Sequence, residues 1–111
     1  MATVKIMQGD SYVIPIELTQ DGSQLMPDMV EDVEVCVGEN LRKTYSSGGV
    51  GYDDSSMLWY IKPSQAETLA LDPETYDVVV RVKYLTVPDG DVVGKKIGSI
   101  SVQEGQSKEV L

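Results

Sequence analysis

The amino-acid sequence predicts an all-β chain: an antiparallel, Greek-key β-sandwich of about seven strands with one short helix near residues 64–70. Three observations carry that expectation. Between Thr75 and Leu85, Tyr76, Val78, Val80, Val82 and Tyr84 alternate with Asp77, Val79, Arg81 and Lys83. Strand side chains alternate with period two, so this segment has one apolar face and one largely wet face, as in a sheet covered on one side. Turn residues recur about every ten residues, and a single segment carries helical spacing. Substantial helices between strands, which a parallel α/β sheet needs, are absent, and no fixed-period repeat points to a solenoid or propeller.

Val4 to Met7 reads as a first strand, closed by Gln8-Gly9-Asp10. Ser11 to Thr19 is the second, with Tyr12, Ile14, Ile16 and Leu18 on one face. Pro15 lies on the other face and donates no ladder hydrogen bond, so this strand belongs at an edge or a bulge. Gln20-Asp21-Gly22-Ser23 is a turn in which Asp-Gly supplies positive φ. Gln24 to Met29 is an irregular connector. Val30 to Val37 is a third strand with Val33, Val35 and Val37 inward and Asp32 and Glu34 outward; Gly38-Glu39-Asn40 turns the chain into a short strand over Leu41 to Tyr45. The glycine-rich run from Gly48 to Gly51, continuing to Ser56, is expected to be a flexible loop, either a long hairpin connection or a disordered tip. Met57 to Lys62 places Met57, Trp59 and Ile61 inward.

Ser64 and Glu67 have capping-box spacing, which predicts a helix of about two turns before Leu71. After the strand from Thr75, Pro88-Asp89-Gly90-Asp91 has hairpin composition. Val92 to Val102 returns as the last strand, with Gly94 and Gly98 weakening its middle. The domain is expected to span 1–103, with 104–111 a polar tail.

The chain has 111 residues, which suits one domain, and 41% of them are apolar. Phe is absent, so Val, Ile, Leu, Tyr and the single Trp59 must fill the core. Asp and Glu number 18 against 9 Lys and Arg, a net charge of −9 that repels phosphate backbones and anionic bilayers. Nucleic-acid and membrane partners are not expected. Met1 is followed by Ala2-Thr3-Val4-Lys5, with neither a basic n-region nor an apolar h-region, so the chain is expected to be made in the cytoplasm without a signal peptide.

Reactive chemistry has few places to reside. The chain has no His, which removes Ser-His-Asp and Cys-His catalysis. Lone Cys36 alternates with Val35 and Val37 and reads as an inert, half-buried thiol. Gly48, Gly49 and Gly51 precede neither a Gly-Lys-Ser/Thr run nor a helix, so they do not make a phosphate loop. No catalytic residue and no cofactor are expected. Carboxylates supply the metal candidates, for which calcium is the fitting ion. These are Asp53 and Asp54 in the glycine-rich loop and Asp89 and Asp91 in the hairpin turn, with Asp28, Glu31 and Asp32 clustered before the third strand. Tyr52 and Tyr60 are interface candidates, set against the reading that they are ordinary sheet tyrosines. Trp59 and Tyr76 are structural candidates. Leu71-Asp72-Pro73-Glu74-Thr75-Tyr76 has the composition of a tyrosine corner, in which the hydroxyl bonds back to upstream backbone.

The order of these segments resembles a known family. Gln8-Gly9-Asp10, Leu18-Thr19-Gln20-Asp21-Gly22 and Val33-Glu34-Val35 come first. Leu58-Trp59-Tyr60-Ile61, a short helix, Leu71 to Val78, an Asp89-Gly90 hairpin and Gly98-Ser99-Ile100-Ser101-Val102 then follow. This order is similar to the small immunoglobulin-like β-sandwich domains of tailed-phage and prophage structural proteins, the nearest type being the N-terminal domain of phage baseplate upper proteins. The resemblance implies a non-catalytic module of a baseplate, tail or accessory virion protein. Such a module would dock on other virion proteins, or self-associate, through its sheet edge or loops. Glu74-Thr75 stands where the family places a glycine before the tyrosine, and no fibre or coiled coil follows, which implies a stand-alone accessory protein. The alternative is a bacterial immunoglobulin-like binding module, carbohydrate- or calcium-dependent, using the 48–56 and 88–91 loops.

Overall fold

The computed structural model describes residues 3–20, 22–85 and 91–111. Its elements are β1 (Thr3–Met7), β2 (Ile14–Ile16), β3 (Thr19–Gln20), β4 (Ser23–Gln24), β5 (Val30–Val37), β6 (Leu41–Thr44), β7 (Val50–Asp53), β8 (Leu58–Ile61), α1 (Gln65–Leu69), β9 (Thr75–Tyr84) and β10 (Val92–Gln103). Five strands form one sheet in the order β1-β10-β9-β5-β6, three form a second in the order β2-β8-β7, and β3 pairs with β4. A 3-10 turn at Pro27–Met29 leads into β5. The chain is therefore mostly β, as the alternation predicts. A wholly antiparallel arrangement does not hold at one edge, where β1 runs parallel to β10, from Thr3 against Ser99 to Met7 against Gln103. These two strands lie far apart in the chain, so no hairpin dictates their relative direction.

The inward faces of both sheets share one core. Ile6, Ile14, Ile16, Leu18, Val33, Val35, Val37, Trp59, Ile61, Val78, Val80 and Val82 are all buried, where period two puts them. Leu25, Val30, Leu41, Val50, Leu71, Tyr76, Ile100 and Val102 complete it. Trp59 packs edge-on against Tyr45 and Tyr52, and its indole N–H donates to the Leu25 carbonyl at 2.8 Å.

Two side-chain expectations and one loop expectation are corrected. Tyr12 is 43% exposed, because β2 begins only at Ile14 and Tyr12 lies in the segment crossing from the first sheet to the second; its hydroxyl donates to the Lys5 carbonyl. Met57 sits in the β7–β8 turn with φ 57° and is exposed rather than inward. The glycine-rich run is not one flexible loop, since β7 occupies its middle and pairs with β8 from Val50↔Ile61 to Asp53↔Leu58. A Cβ on Gly51 would lie 2.3 Å from Tyr60 Cζ, so this glycine reflects close packing under an aromatic ring rather than flexibility.

Other local signals act as their chemistry dictates. Pro15 lies on β2, an edge strand of its sheet. Ser64 and Glu67 form both bonds of the capping box. Buried Thr68 of α1 accepts from the Gly9 N–H at 3.0 Å and donates to the Asp10 carbonyl at 2.9 Å, tying the helix to the β1–β2 crossing. Gly105 is buried and its N–H donates to Gln8 Oε1, so the segment expected as a tail begins packed against Gln8, just past β1. Among the described residues no helix is long and apolar enough to cross a membrane.

Candidate interaction surface

The two sheets differ in strand length. β9 has 10 residues and β10 has 12, whereas β2 has 3 and β7 and β8 have 4 each. At about 3.3 Å per residue, the long pair outruns its cover by about 20 Å. The overhang shows in the burial. Ile100 and Val102, late in β10, are buried, whereas Val92 and Val93, at its start, are 57% and 53% exposed. Val93 pairs with Val82 and so lies on the inner face, the side that elsewhere forms the core. Beneath it runs a cleft lined by Leu18, Leu25, Val82, Tyr84, Val93 and Ile97, with Glu17 and Lys95 also on its wall. Met29 and Leu85 add exposed apolar surface at the same end, where the Leu85 N–H donates to the Met29 carbonyl.

The same overhang leaves a sheet edge open. Among the described residues β1 covers β10 only along Ser99–Gln103. Among the described residues no strand pairs with Val92–Lys96 on the side away from β9. The Tyr84 N–H donates to the Asp91 carbonyl at 2.9 Å. Antiparallel ladders alternate, so Val93 and Lys95 bond to β9, while Val92, Gly94 and Lys96 turn their N–H and C=O groups outward.

On the outer face, Arg81, Lys83 and Lys96 each stand in an ion pair with one of the chain's own carboxylates. Arg81 lies opposite Gly94, and a Cβ there would meet Arg81 Cγ at 3.3 Å, so the glycine leaves room for the arginine stem. Arg81 Nε donates to Glu34 Oε1 at 2.6 Å and its Nη2 to Oε2 at 2.9 Å; Arg42 donates to the same carboxylate. The bonds from Arg81 outweigh the opposing effect of burial and, with those from Arg42, bring the Glu34 carboxyl from 4.5 down to about 2. Lys83 pairs with Glu31 at 3.3 Å and Lys96 with Asp77 at 3.0 Å. Both partners of these last two pairs are exposed, so they add little stability beyond shaping the face.

The residues singled out in the sequence fall in several places. Asp53 accepts from Ser55 N–H, Ser55 Oγ and Ser56 Oγ, and these serine bonds lower its pKa. Asp54 is exposed in the β7–β8 turn, Asp91 is exposed just before β10, and Asp89 lies outside the described residues. Asp32 is occupied too. Burial would raise its carboxyl, but bonds from Ser46 N–H, Ser46 Oγ and Val33 N–H bring it below the usual value. Asp28 is exposed, and Glu31 takes the ion pair with Lys83. Among the described residues no three His, Cys, Asp or Glu side chains come together as a metal site. Tyr52 packs on Trp59, and Tyr60 covers Gly51. Cys36 is half-buried on the outer face, where burial, then Glu34, pushes its thiol up. The Tyr76 hydroxyl donates to the Asp72 carbonyl at 2.9 Å, four residues upstream.

Sequence reasoning passed over Val93, Lys95 and Ile97 as surface chemistry. The available signal was a strand carrying Lys95-Lys96 between two glycines, since charge and poor packing are features of a sheet edge. No family model matches this chain, and no curated protein or solved structure matches it either.

Proposed function

We propose that this chain is a non-catalytic interaction module of immunoglobulin-like architecture that docks on neighbouring subunits of a phage or prophage particle. The observation that carries the architectural part is strand order. β10-β9-β5-β6 facing β2-β8-β7 follows the G-F-C-C′ and B-E-D order of variable-type immunoglobulin sandwiches, with β1 added beside the G position. Tyr76 at the start of β9 then holds the place of the corner tyrosine on strand F, and its bond to Asp72 is the one that corner requires. The order of sequence segments supplies the virion part of the reading. The docking part is supported by an open edge beside an apolar cleft, surfaces that bind protein rather than turn over substrate.

Mass spectrometry on purified particles and tail-assembly intermediates, from a host that carries this gene, tests the assignment. The expected result is the chain at a fixed ratio to the tail proteins. Its absence from both fractions overturns the virion assignment.

A further inference from the structure

We propose that the open edge of β10 is a strand-addition site for an extended segment of a partner protein that alternates apolar and acidic residues. The inference rests on the interaction-module reading and specifies its surface. Main-chain groups of Val92, Gly94 and Lys96 point away from β9 with no strand beside them among the described residues. A strand laid there gains main-chain hydrogen bonds, and its alternate side chains choose the partner. Those on the inner side reach the cleft between Leu18, Val93 and Ile97, which suits aliphatic groups. Those on the outer side meet Lys96 and, across the bare backbone of Gly94, Arg81, which is 57% exposed along its side chain. Carboxylates fit that side.

Charge argues against a second copy as the occupant. Joining two β10 edges would bring Arg81 and Lys96 of one molecule beside their equivalents. An acidic, apolar strand sets carboxylates against those cations instead.

The test is a titration of the isotope-labelled chain with a blocked Glu-Val-Glu-Val-Glu-Val-Glu peptide, followed by amide NMR. Shifts are expected to concentrate at Val92, Gly94 and Lys96 and around the Leu18 cleft. The matching Lys-Val peptide should bind more weakly. Lys96→Glu should weaken the acidic peptide by about fivefold, the scale of reversing one exposed charge contact. Gly94→Pro, which removes an outward N–H while leaving the β9 ladder bonds in place, should abolish binding; a thermal melt checks its folding, and Lys96→Glu keeps the test decisive if that variant unfolds. Three results overturn the proposal. One is no shift at the edge with millimolar peptide, and a second is equal binding of the lysine peptide. The third is a peptide-free dimer in sedimentation that Gly94→Pro dissociates, which would give the edge to a second copy. The virion assignment stands or falls separately, since peptide binding does not depend on where the chain is found.

Discussion

Tyr76 shows how one hydroxyl can fix a chain crossing. The ring is buried beside Gly38 and its O–H is satisfied by the Asp72 carbonyl at 2.9 Å. Tyr76→Phe keeps the ring and leaves that carbonyl short of a donor, so the domain should lose about 1 kcal/mol, measurable by urea unfolding. A neutral result would mean that water replaces the bond at no cost. Glu34 is a different case, a buried carboxylate held by two guanidinium groups that reach into solvent. Its pKa falls on folding to about 2 from 4.5, so the folded state binds the proton less readily than the unfolded chain. The associated stability is complete above the unfolded value, and it drains away as pH falls through the window from 4.5 to about 2. Glu34→Gln should therefore flatten acid denaturation in that window. At neutral pH it should cost about 1 kcal/mol, because the freed arginines can rehydrate. Melting curves of both proteins between pH 2 and 7, a range set by that window, check the sign.

Among the elements, the turn between β5 and β6 and the start of β9 act together. Gly38 has φ 56°, its N–H donates to the Asp77 carbonyl at 2.9 Å, and a Cβ on it would lie 2.7 Å from Tyr76 Cδ1. The ring cannot swing aside without breaking its own hydroxyl bond. Gly38→Ala thus combines a left-handed backbone with an overlap and should destabilise by about 2 kcal/mol or more. The check is a double-mutant cycle with Tyr76→Phe. Coupling should be clear, since neighbours in contact are not additive; simple additivity would count against the contact. β7 was hidden in the sequence for a related reason. Glycine reads as freedom when only local propensity is considered, yet here Gly51 is required by the ring of Tyr60 from the adjacent strand. β9 was legible because its alternation is long and strict.

At the scale of the molecule, the long β9–β10 pair against short covering strands creates the cleft and edge proposed for docking. Among the described residues, by contrast, the loop carboxylates do not converge. Asp53 already has three serine donors from its own turn, and Asp54 and Asp91 belong to separate loops. Millimolar calcium should leave the melting midpoint unchanged, because an ion that binds the folded state must raise it. A rise of several degrees would return those carboxylates to the functional account. Much of this was settled by the chain's own pattern. Period-two alternation named the long strands and the inward residues from Ile14 to Val82, the Leu71–Tyr76 run marked the bond from Tyr76 back to Asp72, and Ser64 and Glu67 capped α1 with groups three residues apart. These are local effects, written in neighbouring residues. Tertiary structure alone decided the parallel pairing of β1 with β10, the outward turn of Tyr12 and Met57, and the arginine clasp on Glu34. It also decided which stretch of β10 stays uncovered. Each of these depends on which strand lies beside which and for how long, a relation between distant residues that no local period records.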